Sequence, residues 1–177
     1  SGGIRDAMRT LLWVLLGWIG VAFWTGIGSA WSPAHVIPDA AVVVVVFLGM
    51  RFTPIPLCCG ALALGYIVGR QVAGPVGLHE VSLGICAFWT YRMSGSFSGG
   101  GAAFFGVVTA LIAALYHGIL FVMVYLVQGD AVFSSWATAT LAPGAAATGL
   151  LGTALYHPML YIDRFVEPKS REGLSWH

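Results

Sequence analysis

"HVIPDAAVVVVVFLGM", His35 to Met50, is the stretch on which the reading of this chain turns. Pro38 and Asp39 stand at the head of an almost unbroken apolar run that includes five consecutive valines. In a soluble protein such a run reads as a buried strand, because β-branched side chains fit a pleated surface. The composition argues against a soluble protein. Of 177 residues, 58% are apolar and 8% charged, against about 25% charged in an ordinary soluble domain. Eight basic and seven acidic side chains cannot coat a chain of this length against water. The run therefore reads as a membrane helix, in which the backbone satisfies its own hydrogen bonds. Pro38 fits the first turn, where its missing N–H is no loss. Asp39 falls at the positive end of the helix dipole, at the outer membrane interface, and the valines are expected to face lipid and neighbouring helices.

Outward from that helix, short polar or Gly/Pro-rich stretches divide the chain into six apolar segments. They run from about Leu11 to Ser29, Ala40 to Met50, Pro56 to Gly69, Leu78 to Tyr91, Ala102 to Val127 and Trp136 to Ile162. The second, third and fourth are shorter than the about 20 residues of a full crossing. Alternating sides places Arg5, Arg9, Arg51, Arg92, Arg164, Lys169 and Arg171 on one face, leaving Arg70 alone on the other. Basic residues in short loops collect on the cytoplasmic side. The sequence thus predicts an all-α membrane protein, a six-transmembrane-helix bundle forming a single domain over 1–177. Residues 1–10 form an N-terminal cytoplasmic segment and 163–177 a cytoplasmic tail. The opening Ser1-Gly2-Gly3 reads as an added leader, and no cleavable signal peptide is expected, because no small-x-small cleavage site follows the first apolar stretch.

Few residues in such a chain carry chemistry. Asp39, Arg70, His79 and Glu80 fall together at the outer side, either as an acid–base cluster or as separate interfacial caps; pairing would explain an arginine placed against the sidedness rule. Pro38, Gly60, Gly65 and Gly69 mark packing positions, and Gly65-x-x-x-Gly69 is a small-residue step that lets helices approach closely. His117 and His157 lie within the fifth and sixth segments in similar surroundings, "ALYHG" and "ALYHP". They either bond neighbouring helices, joining the fifth to the sixth if they meet, or mark a functional site. Cys58, Cys59 and Cys86 lack metal spacing and read as small core-filling residues. Trp13 and Trp31 fit an interfacial belt, with Trp18 and Trp24 deeper. Phe165 and Trp176 suit headgroup contact in the tail. "RMSGSFSGGGAAFFG" contains neither a phosphate-binding loop nor a nucleophile elbow. A net charge of +1 without a basic stripe argues against nucleic acid. No catalytic residue, metal or cofactor is expected.

From Val36 to Met93 the sequence resembles the bacterial rod-shape-determining MreD family. The features that carry the resemblance are Pro38-Asp39 opening an apolar helix, the glycine-rich helix holding Gly60, Gly65 and Gly69, and a short outer loop ending in Gly77-Leu78. The family usually carries an acid late in its third helix, where this chain has Arg70. The resemblance implies a fold similar to the substrate-binding subunits of energy-coupling-factor (ECF) transporters. It also implies a non-enzymatic scaffold subunit of the cell-elongation (rod) complex in the bacterial cytoplasmic (inner) membrane, with both termini cytoplasmic. The implied partners are an MreC-like single-span membrane protein, peptidoglycan synthases, MreB filaments and lipid.

Two other classes of function compete. A small-molecule binding subunit of an ECF-type transporter would use a pocket lined by Trp31, His79, Trp89 and Tyr91. An intramembrane enzyme would use Ser98 with His117 or His157.

Overall fold

Asp39 is the N-cap of the helix that the valines build. Its backbone is extended (φ −92°, ψ 98°), and its Oδ1 accepts hydrogen bonds from the N–H groups of Ala41 (3.0 Å) and Val42 (3.3 Å). The carboxylate thereby satisfies two of the donors that a first helical turn leaves unpaired. Pro38, expected in the first turn, stands one residue before the cap, and the helix begins at Ala40.

The computed structural model describes residues 2–31, 38–71, 77–94, 101–128 and 136–166, with side chains over 7–26, 38–71, 77–94, 101–126 and 141–166. All regular structure among them is helical: α1 Gly2–Trp31, α2 Ala40–Arg51, α3 Pro54–Gln71, α4 Leu78–Ser94, α5 Ala102–Gln128 and α6 Trp136–Val166. Each apolar segment of the sequence has become one helix. α1 begins inside the expected N-terminal segment, and α6 reaches Val166, into the expected tail.

α2 is the axis of the bundle. It touches each of the five other helices, and every residue from Ala40 to Gly49 is buried. The valines do not face lipid, as the sequence reading had it; they face protein on all sides. A helix that is apolar all round has no outward face and is stable only when enclosed. At 12 residues it is about 18 Å long at 1.5 Å per residue, short of the about 30 Å of bilayer hydrocarbon. The enclosure is tight. Trp13 of α1, almost wholly buried, lies 4.6 Å from Phe47 between ring centroids, rather than at an interface.

The helices run up and down. Contacts join the start of α1 to the end of α6, the end of α2 to the end of α4 through Gly49 and Thr90, and the start of α2 to α6 near Thr148. Two seams of small residues close the packing. On α3, a Cβ at Gly65 would fall 2.5 Å from the Cα of Glu80, so this position admits only glycine while α4 crosses there. On α6, Gly149 and Gly152 face Gly106, Thr109 and Ala110 of α5, with the Gly106 carbonyl 2.8 Å from where a Gly149 Cβ would stand.

The outside is the reverse of a soluble surface. Leu11, Leu15, Ile19 and Phe23 form an exposed stripe one turn apart along α1, and Leu62, Phe88, Leu111 and Leu150 are exposed on α3, α4, α5 and α6. A contiguous apolar exterior of this kind is rare on soluble monomers. Two stretches, Ala7–Gly26 and Ala102–Leu126, are long and apolar enough to cross a membrane.

Val43→Ala and Val45→Ala remove methyl groups from a fully enclosed helix, and each is expected to destabilise the protein by about 1–3 kcal/mol through lost packing. Leu11→Ala, on the exposed stripe, is expected to change stability by less than about 0.5 kcal/mol. Thermal unfolding of the purified variants in detergent checks the difference.

Candidate functional site

Polar side chains gather at the two ends of α2. At its N-terminal end, the Asp39 N–H donates to the Thr148 hydroxyl of α6 (3.0 Å), which in turn donates to the carbonyl of Gly144 (2.8 Å). His117 of α5 packs over that turn of α6, its Nε2 3.9 Å from where a Gly144 Cβ would be. Next to it in sequence, the buried Tyr116 hydroxyl lies 2.7 Å from Nδ1 of His79 on α4, which is also buried. Asp39 lies within electrostatic reach of both His117 and His79. Cys86, two turns along the same face of α4 from His79, points its thiol at the carbonyl of Ile112 (3.8 Å). Four helices thus contribute to one polar cluster around the cap of the central helix.

At the C-terminal end of α2 the polar contacts are ionic. Asp163 of α6, 1% exposed, binds Arg9 of α1 through Oδ1 at 2.7 Å and faces Arg51 of α2 at 3.8 Å. The Arg9 guanidinium also stacks over Phe52, 4.7 Å from the ring centroid. One buried carboxylate therefore ties α1 and α6 to the end of the central helix. Sequence reasoning assigned Asp163 to the tail and counted Arg9 and Arg51 only as sidedness markers. The available signal was a lone acid within "LYIDRF", following an apolar run and destined for the basic end.

The expected outer cluster divides. Asp39 and His79 belong to the polar group just described. Arg70 turns away: its Nε and Nη2 donate to the Tyr66 hydroxyl at 3.1 and 3.0 Å, and its guanidinium lies 5.1 Å from that ring's centroid. Among the described residues the ion pairs are those of Asp163, and none joins Arg70 to Asp39 or Glu80. The cause is helical geometry. Gly65 and Gly69 face α4, while Tyr66 and Arg70, each one residue on, lie about 100° further round the helix. Glu80 opens α4, with its Oε2 buried and without a hydrogen-bond partner, 3.8 Å from where a Gly69 Cβ would be.

Other expected positions are placed as follows. Gly60 and Gly65 are buried at helix contacts. His117 and His157 do not meet, because His117 sits opposite Gly144, and His157 lies 13 residues further along α6, about 20 Å along its axis, on an exposed face. The glycine and threonine seam joins α5 to α6 instead. Cys86 fills the core as expected, but Cys58 and Cys59 are exposed. Trp89 and Tyr91 face outward while His79 faces inward, so these three do not line one pocket. Trp31, the remaining member of that set, and Ser98 lie outside the described side chains. Among the described residues no group of three His, Cys, Asp or Glu side chains is placed to hold a metal ion.

Fold and site together define an all-helical bundle with an enclosed central helix, an apolar exterior and polar side chains bonded across helices at both ends of that helix. In comparisons with known proteins, no family model, no curated protein and no solved structure matches the chain.

Asp163→Ala strands the partly buried Arg9 guanidinium, and removing one partner of a buried pair costs about 3–5 kcal/mol. The double variant Arg9→Met/Asp163→Leu, which removes both charges, is expected to recover at least half of that loss. Chemical denaturation of the three purified proteins checks both figures.

Proposed function

We propose that this protein is a multi-pass subunit of the bacterial cytoplasmic membrane, a non-enzymatic scaffold of the cell-elongation machinery. On this reading it binds an MreC-like single-span protein, and through it supports peptidoglycan synthesis and cell shape. The observation that carries the reading is Asp39. Asp39 of the Pro38-Asp39 step, central to the MreD resemblance, caps the helix that touches each of the five others among the described residues. A motif used in this way belongs to the architecture rather than to a reaction.

The distribution of polar groups supports the same reading. The buried polar side chains of His79, Tyr116, Thr148 and Asp163 bond helix to helix, Thr148 by accepting from the Asp39 N–H, and the exterior offers apolar side chains. A helix packed against that exterior would gain affinity from van der Waals contact and a few interhelical hydrogen bonds, each worth ~0.6–2 kcal/mol. Arg9, Arg51, Arg92 and Arg164 gather at one end of the helices, and by the basic-residue rule that end is cytoplasmic. On this reading the chain crosses six times with both termini inside. α2 then needs no lipid match of its own, because its neighbours enclose it.

Affinity purification of the tagged protein from native membranes tests the proposal. An MreC-like single-span protein is expected among the captured partners, and depletion of the protein is expected to round the cells. Normal rod shape on depletion, with no such partner captured after cross-linking, contradicts it.

A further inference from the structure

The cap of α2 is chemically richer than a cap requires. Serine and asparagine cap helices about as well as aspartate, so capping alone gives no reason for a charge. Here the charge is surrounded by groups that exchange protons. α2 brings Asp39 itself, and α5 brings His117 and Tyr116. α4 brings His79, which interacts with both Asp39 and Glu80, and Cys86, which lies within reach of Asp39. α6 brings Thr148, a neutral hydroxyl bonded to the Asp39 N–H. α3 brings Gly69 against His79, with Arg70 turned outward onto Tyr66. α1 brings Gly20 against Ala40, and Arg9, the charged residue among its described side chains, lies at the opposite end of the bundle.

We infer that Asp39, His79, Tyr116 and His117 form a proton-binding site whose occupancy sets how firmly α4, α5 and α6 hold the capped end of the central helix. The geometry supplies each part. Asp39 and His117 are partly exposed, while His79 and Tyr116 are buried and joined at 2.7 Å. A proton taken onto an imidazole nitrogen makes a cation within electrostatic reach of the Asp39 carboxylate. Its loss leaves the carboxylate facing neutral rings. Since α2 touches every other helix, a change in attraction at its cap reaches the whole bundle. This inference does not rest on the scaffold reading and is tested on the isolated protein.

The test is the thermal midpoint of the purified full chain between pH 5 and 8, the window in which histidine changes charge, for wild type and Asp39→Asn, His79→Gln, His117→Gln and His157→Gln. Wild type is expected to shift by about 4 °C or more across this window. Asp39→Asn keeps the cap and should fold, yet it and His117→Gln are expected to lose at least half of that shift. His157→Gln, on an exposed face, should follow wild type. Wild-type profiles in both Asp39→Asn and His117→Gln would overturn the inference. If those variants fail to fold, nitrogen-15 spectra of the wild-type histidine rings decide. Titration curves of His79 and His117 that depend on one another support the site, whereas two independent single-site curves overturn it.

Discussion

The constraint on which this structure depends is that α2 has no outward face. Two alanines, five valines, Phe47, Leu48 and Gly49 are all buried, so the other five helices have to be arranged around them. A helix of 12 residues leaves unpaired backbone groups at each end, beside its neighbouring helices, and these groups need partners. Asp39 answers this at one end by accepting two backbone N–H bonds. At the other end the Phe52 N–H reaches back to the carbonyl of Leu48 at 2.8 Å, and Asp163 gathers Arg51 and Arg9 just beyond. Each end of the short helix is thus closed by its own flanking residue, with groups of other helices bonded beside it.

That arrangement explains where the small residues fall. Enclosing a valine-rich helix brings its neighbours close, and close approach excludes side chains at the crossings. Gly17 faces Leu64 and Val44, Gly20 faces Ala40, and Gly49 receives Thr90. Threonines at these crossings bond their hydroxyls back to their own helix, as Thr90 does to Cys86 and Thr109 to Phe105, so they pack without leaving a polar atom unpaired. Large apolar side chains such as Trp13, Phe47 and Phe105 fill the inside, and others, such as Leu11 and Phe88, are turned outward. The inside is held by shape and a few hydrogen bonds, and the outside is left for an apolar solvent or an apolar partner.

The helices were legible in the sequence because Gly, Pro and polar residues punctuate them. α2, α4, α5 and α6 start at Ala40, Leu78, Ala102 and Trp136, where the apolar pattern begins. α2, α4 and α6 extend further than hydropathy suggests, since Arg51, Arg92 and Arg164 are good helix formers and favoured in a last turn. The enclosure of α2 was not legible: an all-apolar helix has the same pattern whether lipid or protein surrounds it. The capping role of Asp39 could be approached from Pro38-Asp39, but its companions could not. Tyr116 and Thr148 carry no local signal, and they meet Asp39 and His79 only through the packing of α4, α5 and α6. The sequence reading looked instead to Arg70, near in the chain but turned onto Tyr66. For α6, the repeated small residues in "GAAATGLLGT" were a readable sign of the seam with α5, while attention to the histidines in similar surroundings led elsewhere.

The central claim, that α2 is enclosed by protein on every side, is tested most directly by spin-label accessibility in reconstituted bilayers. Single labels would be placed at each position from Val42 to Leu48, and at Leu11, Leu15, Ile19 and Phe23. The account predicts uniformly low accessibility to lipid-dissolved oxygen along α2 and high accessibility at all four α1 positions. A rise and fall along α2 with a period of about 3.6 residues would mean that one of its faces meets lipid, and would contradict the account.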